Sequence, residues 1–85
     1  MRSIQFSPTA INDLKLFKSG NQKLVFKILE LLTDIQSSPF QGLGKPEPLK
    51  ENYQGFWSRR INDEHRLVYR VTDDLIIIHS CYGHY

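Results

Sequence analysis

The hydrophobic pattern of this chain changes period once, at Ser37-Ser38-Pro39, and that change decides the fold class. Before it, Leu24, Ile28, Leu31 and Ile35 recur at spacings of four, three and four, with Val25, Leu29 and Leu32 widening the stripe. This is the pattern of an amphipathic helix with one buried face. The residue before a proline is pushed out of the helical region, so the helix ends at this Ser-Ser-Pro. Beyond it, Gln41-Gly42-Leu43-Gly44-Lys45-Pro46-Glu47-Pro48 is too rich in turn formers for a helix or a central strand. Three short strand-like segments follow, at residues 56–61, 65–71 and 75–81, separated by Asn62-Asp63-Glu64 and Thr72-Asp73-Asp74 at hairpin spacing. A further short strand fits around Leu49-Lys50, with a turn over residues 52–55.

Upstream, Ile4 and Phe6 alternate with Ser3 and Gln5 as in a half-buried strand. Ser7-Pro8 reads as an N-cap with proline in the first helical turn, opening a helix through Ile11, Leu14 and Phe17. Ser19-Gly20-Asn21 is read as a stop and restart, with Gly20 left-handed and Asn21 capping the second helix. Strand, helix, helix and then antiparallel strands imply an α+β fold in which a helical hairpin covers one face of a β-meander. The other face is left free to act.

At about 150 residues per domain, the 85 residues are read as one domain, 1–85. The apolar fraction of 40% and charged fraction of 24% are those of a globular chain. The run Leu75-Ile76-Ile77-Ile78 is far short of a membrane span, and no signal-peptide pattern precedes residue 6, so the expected location is the cytoplasm. A single cysteine, Cys81, excludes a disulfide within the chain. A net charge of +2 is too small for whole-molecule attraction to nucleic acid, so a polyanion would need a local patch. Residues 45–70 offer one, with Lys45, Lys50, Arg59, Arg60, Arg66 and Arg70, although a mixed-charge β-surface has the same composition.

Arg66 and Arg70 are read as outward-facing on their strand, where they either address phosphates or simply keep an exposed face soluble. Glu47, between Pro46 and Pro48 and near Lys45 and Lys50, is presented from a stiff loop. That placement suits a general base, and equally a solvated loop glutamate. The ending Tyr82-Gly83-His84-Tyr85 offers an imidazole for proton transfer and rings for stacking, or else tyrosines that anchor the tail. His65 reads as a surface residue and His79 as a hydrogen-bonded core histidine. Neither zinc-ligand spacing nor paired carboxylates for two-metal chemistry occur.

On Ser38-Pro39-Phe40, Gly42-Leu43-Gly44-Lys45-Pro46-Glu47-Pro48-Leu49-Lys50, Trp57-Ser58-Arg59-Arg60-Ile61, Asp63-Glu64-His65-Arg66-Leu67-Val68-Tyr69 and the terminal His84-Tyr85, the chain resembles the YoeB/Txe toxins. These belong to the RelE/ParE superfamily of bacterial type II toxin–antitoxin systems. The resemblance runs the whole length. It implies a RelE-like fold and a ribosome-dependent mRNA endoribonuclease that cuts A-site codons without a metal or other cofactor. In that chemistry the 2′-hydroxyl attacks its own phosphorus and leaves a 2′,3′-cyclic phosphate and a 5′-hydroxyl. By motif, Glu47 resembles the general base, His84 the general acid and Arg66 the phosphate-stabilising arginine, with Tyr85 completing the catalytic set. Lys45, Lys50, Arg59 and Arg60 are the implied RNA- and ribosome-binding residues.

The implied partners are a YefM-like antitoxin, the 70S ribosome with its mRNA, a second copy of the chain, and operator DNA bound only as the toxin–antitoxin complex. Tyr82-Gly83 stand where the family often has a basic and an aromatic residue, and a glycine there is expected to loosen the tail. The competing expectation is a ParE-like module that binds DNA gyrase without chemistry, which would not be expected to keep Glu47, Arg66, His84 and Tyr85 together.

Overall fold

In the computed structural model, which describes residues 1–84, strand β1 (Ser3–Phe6) passes directly into helix α1 (Pro8–Gly20). Ser7 caps it as the sequence predicts: its Oγ accepts the Ala10 N–H at 3.1 Å and donates to the His79 carbonyl at 2.7 Å. Gly20 stays helical, so the expected left-handed glycine is not used. The break is made by the extended backbone of Asn21, whose side chain caps nothing and whose N–H bonds the Phe17 carbonyl.

Helix α2 (Gln22–Ser37) buries Ile28, Leu31, Leu32 and Ile35 and ends where the proline rule places its end. Leu29, expected within the stripe, is half exposed. It lies one residue past Ile28, about 100° round the helix, and the contact face is too narrow to include it.

Strands β2 (Glu47–Pro48), β3 (Trp57–Arg60), β4 (Arg66–Val71) and β5 (Leu75–Ser80) form the meander, with sheet order β1-β5-β4-β3-β2. All neighbours are antiparallel except β1, which runs parallel to β5 with Ile4 opposite Ile76 and Phe6 opposite Ile78. The sheet is therefore mixed: the helical hairpin carries the chain from β1 to the far edge at β2, and the meander returns it to β5 beside β1. The strand expected at Leu49-Lys50 lies two residues earlier, and a 3-10 turn (Glu51–Tyr53) follows it. Both expected hairpin turns form. In the first, Asn62 Oδ1 accepts from the Glu64 and His65 N–H groups. The helices and one sheet face enclose a core of Ala10, Phe17, Ile28, Leu31, Leu32, Ile35, Ile61, Leu67, Tyr69, Ile76, Ile78 and Cys81. Burial pushes the Cys81 thiol up to about 12.

Arg59 corrects an expectation. The family resemblance implies an RNA-binding role for it, but alternation along β3 turns it to the helix side, where it is 0% exposed. Its five N–H groups are all used. Nε donates to Tyr69 Oη at 3.1 Å, and Nη1 donates to the Asp34 carboxylate and to the Leu43 carbonyl at 3.1 Å. Nη2 donates to the carbonyls of Ser38 at 2.6 Å and Gln41 at 3.0 Å. Tyr69 Oη in turn donates to the Pro39 carbonyl at 2.7 Å. The loop after α2 crosses the core edge with its carbonyls turned inward, and this one guanidinium satisfies them. Asp34 also accepts the Leu43 N–H at 2.9 Å. That backbone bond, followed by the Arg59 bond, holds its carboxyl below the usual aspartate range.

Arg59→Ala should cost about 3 kcal/mol or more, since it orphans a partly buried carboxylate and three carbonyls. At about 4 °C per kcal/mol, the melting temperature should fall by roughly 12 °C or more. Asp34→Asn should lose stability that is full above the ordinary aspartate range of ~3.9 and fades as pH falls through the lower folded value. Urea melts of both proteins from pH 7 down to pH 3 should therefore converge on acidification. A gap that stays constant with pH would contradict the assignment.

Candidate active site

Directly opposed residues of an antiparallel pair share a face, and so do residues two apart on a strand. Glu47 opposes Ser58, and Arg60 opposes Arg66. Ser58 and Arg60 are two apart, so all four side chains stand on the face away from the helices. There Gly44, Lys45, Glu47, Ser58, Arg60, Arg66 and His84 line a cleft of about 200 Å³. Three cations surround one carboxylate, so the cleft favours an anion.

Two loops complete it. The first hugs β3 closely enough that the Gly44 carbonyl accepts the Arg60 N–H at 2.6 Å. A Cβ on Gly44 would lie 2.9 Å from the Arg60 carbonyl oxygen, and its φ is +77°, so the position requires glycine. Lys45, next along, has φ 53°, a left-handed conformation that is costly for a side-chain-bearing residue.

The second is the tail. The Arg66 N–H donates to the Gly83 carbonyl at 3.0 Å, and the Gly83 N–H donates to His65 Nδ1 at 2.8 Å. Gly83 thus fastens the tail, against the expectation that it would loosen it; its φ of +77° allows both bonds at once. Tyr82 packs on His65 at 4.6 Å and on Phe17 at 5.5 Å between ring centroids, so this tyrosine does anchor the tail. His84 is exposed, with Nε2 3.3 Å from the Asp63 carbonyl. A carbonyl only accepts, so this contact suits a ring that carries its proton on Nε2. The Arg66 Nη1 donates to the carbonyls of Asn62 at 2.6 Å and His65 at 3.1 Å, which aims the guanidinium.

Of the expected site residues, Lys45, Glu47, Arg60, Arg66 and His84 converge. Lys50 lines an adjoining groove that shares Glu47. Arg59 lies on the opposite side of the sheet. Tyr85 lies outside the described residues. Ser58, 3% exposed in the cleft, was not singled out; its place between Trp57 and Arg59 on an alternating strand is the only signal for it.

Both interior histidines also differ from expectation. His65 is buried rather than on the surface, because the tail folds over it. His79 is half-buried on the open face, with its ring edge-on to Phe56 at 5.2 Å. Among the described residues no three His, Cys, Asp or Glu side chains come together to hold a metal ion, and no helix is long and apolar enough to cross a membrane.

Residues 6–85 match the family described as the YoeB-like toxin of bacterial type II toxin–antitoxin systems. The chain is 50% identical over 80 residues to toxin YoeB of Escherichia coli K12, covering 94% of this chain and 95% of that one. It superposes on a YoeB dimer structure from Staphylococcus aureus with TM-score 0.92 and 52% identity, covering 99% and 98% of the two chains. It matches the toxin in a heterotetrameric YoeB–YefM toxin–antitoxin complex of the same species with TM-score 0.89 and 51% identity, covering 100% and 99%. The mixed sheet with a helical hairpin over one face is thus a fold shared with known toxins across nearly the full chain, which belongs to the YoeB family of type II toxin–antitoxin toxins.

Proposed function

We propose that this toxin is a ribosome-dependent mRNA endoribonuclease that cleaves A-site codons by acid–base chemistry. The observation that carries this reading is the convergence of Glu47, Arg66 and His84 in one cationic cleft on the free sheet face. A phosphoryl transfer whose nucleophile already sits in the substrate needs a base, an acid and charge stabilisation, and those three groups supply them. Glu47 takes the proton of the 2′-hydroxyl as its oxygen bonds to phosphorus. The bond from phosphorus to the 5′-oxygen breaks, and His84 gives that oxygen its Nε2 proton. The products are a 2′,3′-cyclic phosphate and a 5′-hydroxyl.

Charge builds on the phosphate oxygens during the step, and Arg66 with Lys45 and Arg60 stands where it can balance it. Lys50 extends the cationic surface into the adjoining groove, and Tyr85 orients the substrate by stacking. The reading includes a homodimer, a YefM-like antitoxin and operator DNA bound only by the toxin–antitoxin complex. The first two rest on the staphylococcal structures, and cytoplasmic action follows from a ribosomal target.

His84→Gln and Glu47→Gln should each slow single-turnover cleavage on programmed ribosomes by roughly 10²–10⁴-fold, with thermal melts unchanged. A folded His84→Gln variant that cleaves within about threefold of wild type would remove the general acid from this reading. Supercoiling inhibition of purified gyrase without mRNA cleavage would point to the ParE-like alternative. Arg60→Ala should lose cleavage while keeping its melting temperature, whereas Arg59→Ala should lower the melting temperature. Equal behaviour of the two variants would contradict the opposite-face placement.

A further inference from the structure

We propose that His65 is the positioning residue that places the His84 imidazole, acting through the Gly83 peptide. The inference rests on the reading of His84 as general acid. His65 is 9% exposed, although it borders a surface turn. Its ring is fixed by an edge contact to Phe17 at 4.9 Å and a tilted contact to Tyr82 at 4.6 Å. Its backbone is fixed as well, since its N–H donates to Asn62 Oδ1 at 2.8 Å and its carbonyl accepts from Ile61 N at 3.0 Å. From this rigid base Nδ1 accepts the Gly83 N–H at 2.8 Å.

A peptide N–H only donates, so Nδ1 must be bare and the ring must be the neutral tautomer protonated on Nε2. Gly83 is then held from both sides, by His65 at its nitrogen and by the Arg66 N–H at its carbonyl. The next residue is His84. The same turn also aims Arg66, through the Asn62 and His65 carbonyls, and meets His84 at the Asp63 carbonyl. Residues 62–66 therefore set the separation of phosphate clamp and proton donor, and His65 contributes the side-chain bond that ties the tail to that turn.

Misplacing a reacting group by about 1 Å can cost on the order of 10²-fold. His65→Phe keeps a ring against Phe17 and Tyr82 but removes the acceptor. It should lower kcat by about that factor and leave the ribosome concentration for half-maximal rate unchanged. His65→Asn, whose Oδ1 can replace Nδ1, should recover part of the loss. In a His84→Gln background, His65→Phe should cost less than about twofold more, because the two residues act as one unit. An equal cost in both backgrounds would show a merely structural role and overturn the proposal.

Nitrogen-15 NMR of wild-type protein decides the contact itself, whether or not the variants fold. A coupling across the hydrogen bond between the Gly83 amide and His65 Nδ1, with Nε2 protonated, is expected. A protonated Nδ1 would overturn the proposal. If His84→Gln alone leaves cleavage intact, the catalytic reading has failed, and the NMR result still decides whether His65 holds the tail.

Discussion

The site depends on one buried cation that never touches it. Arg59 spends all five N–H groups on Tyr69, Asp34 and the carbonyls of Ser38, Leu43 and Gln41. The loop it gathers has modest apolar anchorage of its own: Phe40 and Leu43 are each about half exposed, and Phe40 lays its ring on Trp57 at 4.8 Å between centroids. A loop with so small a hydrophobic footing is ordered largely by hydrogen bonds, and buried ones are costly to leave unmade. The same loop runs on through Gly44 and Lys45 to Glu47. Holding its first half against the core therefore delivers the carboxylate to the far face of the sheet.

Adjacent arginines show how strand geometry divides labour. Arg59 and Arg60 are identical in chemistry and neighbours in sequence, yet the pleat sends one into the core edge and the other into the cleft. A guanidinium on the helix side finds inward-turned carbonyls and becomes structural. On the open side it meets Glu47, Arg66 and solvent, and remains available to an anion. The tail repeats this division on a smaller scale. Tyr82 packs, Gly83 bends between two hydrogen bonds, and His84 is left exposed at the cleft.

Local sequence carried much of this architecture. The Ser7 cap, the end of α2, both hairpin turns and the order of elements follow from capping, proline and alternation rules that act over a few residues. The parallel partner of β1 was not legible, because pairing across some seventy residues leaves no local trace. Glu47, Arg60 and Arg66 could be grouped by face once the strands were placed. The role of Arg59 could not, because its partners are backbone carbonyls of a loop whose path depends on the finished fold. The burial of His65 is hidden for a similar reason: a residue beside an acidic turn looks exposed until the tail covers it.

The central claim is that the cleft activates a nucleophile the RNA itself supplies. The most direct test is a message carrying a single 2′-deoxynucleotide on the 5′ side of the scissile phosphate, translated to the A site on purified ribosomes. The account predicts that wild-type protein does not cut this message at that position. It also predicts that the all-ribose message yields a 2′,3′-cyclic phosphate and a 5′-hydroxyl. Cleavage of the deoxy-substituted message, or a 5′-phosphate on the downstream fragment, would show that water or another nucleophile attacks instead and would contradict the account.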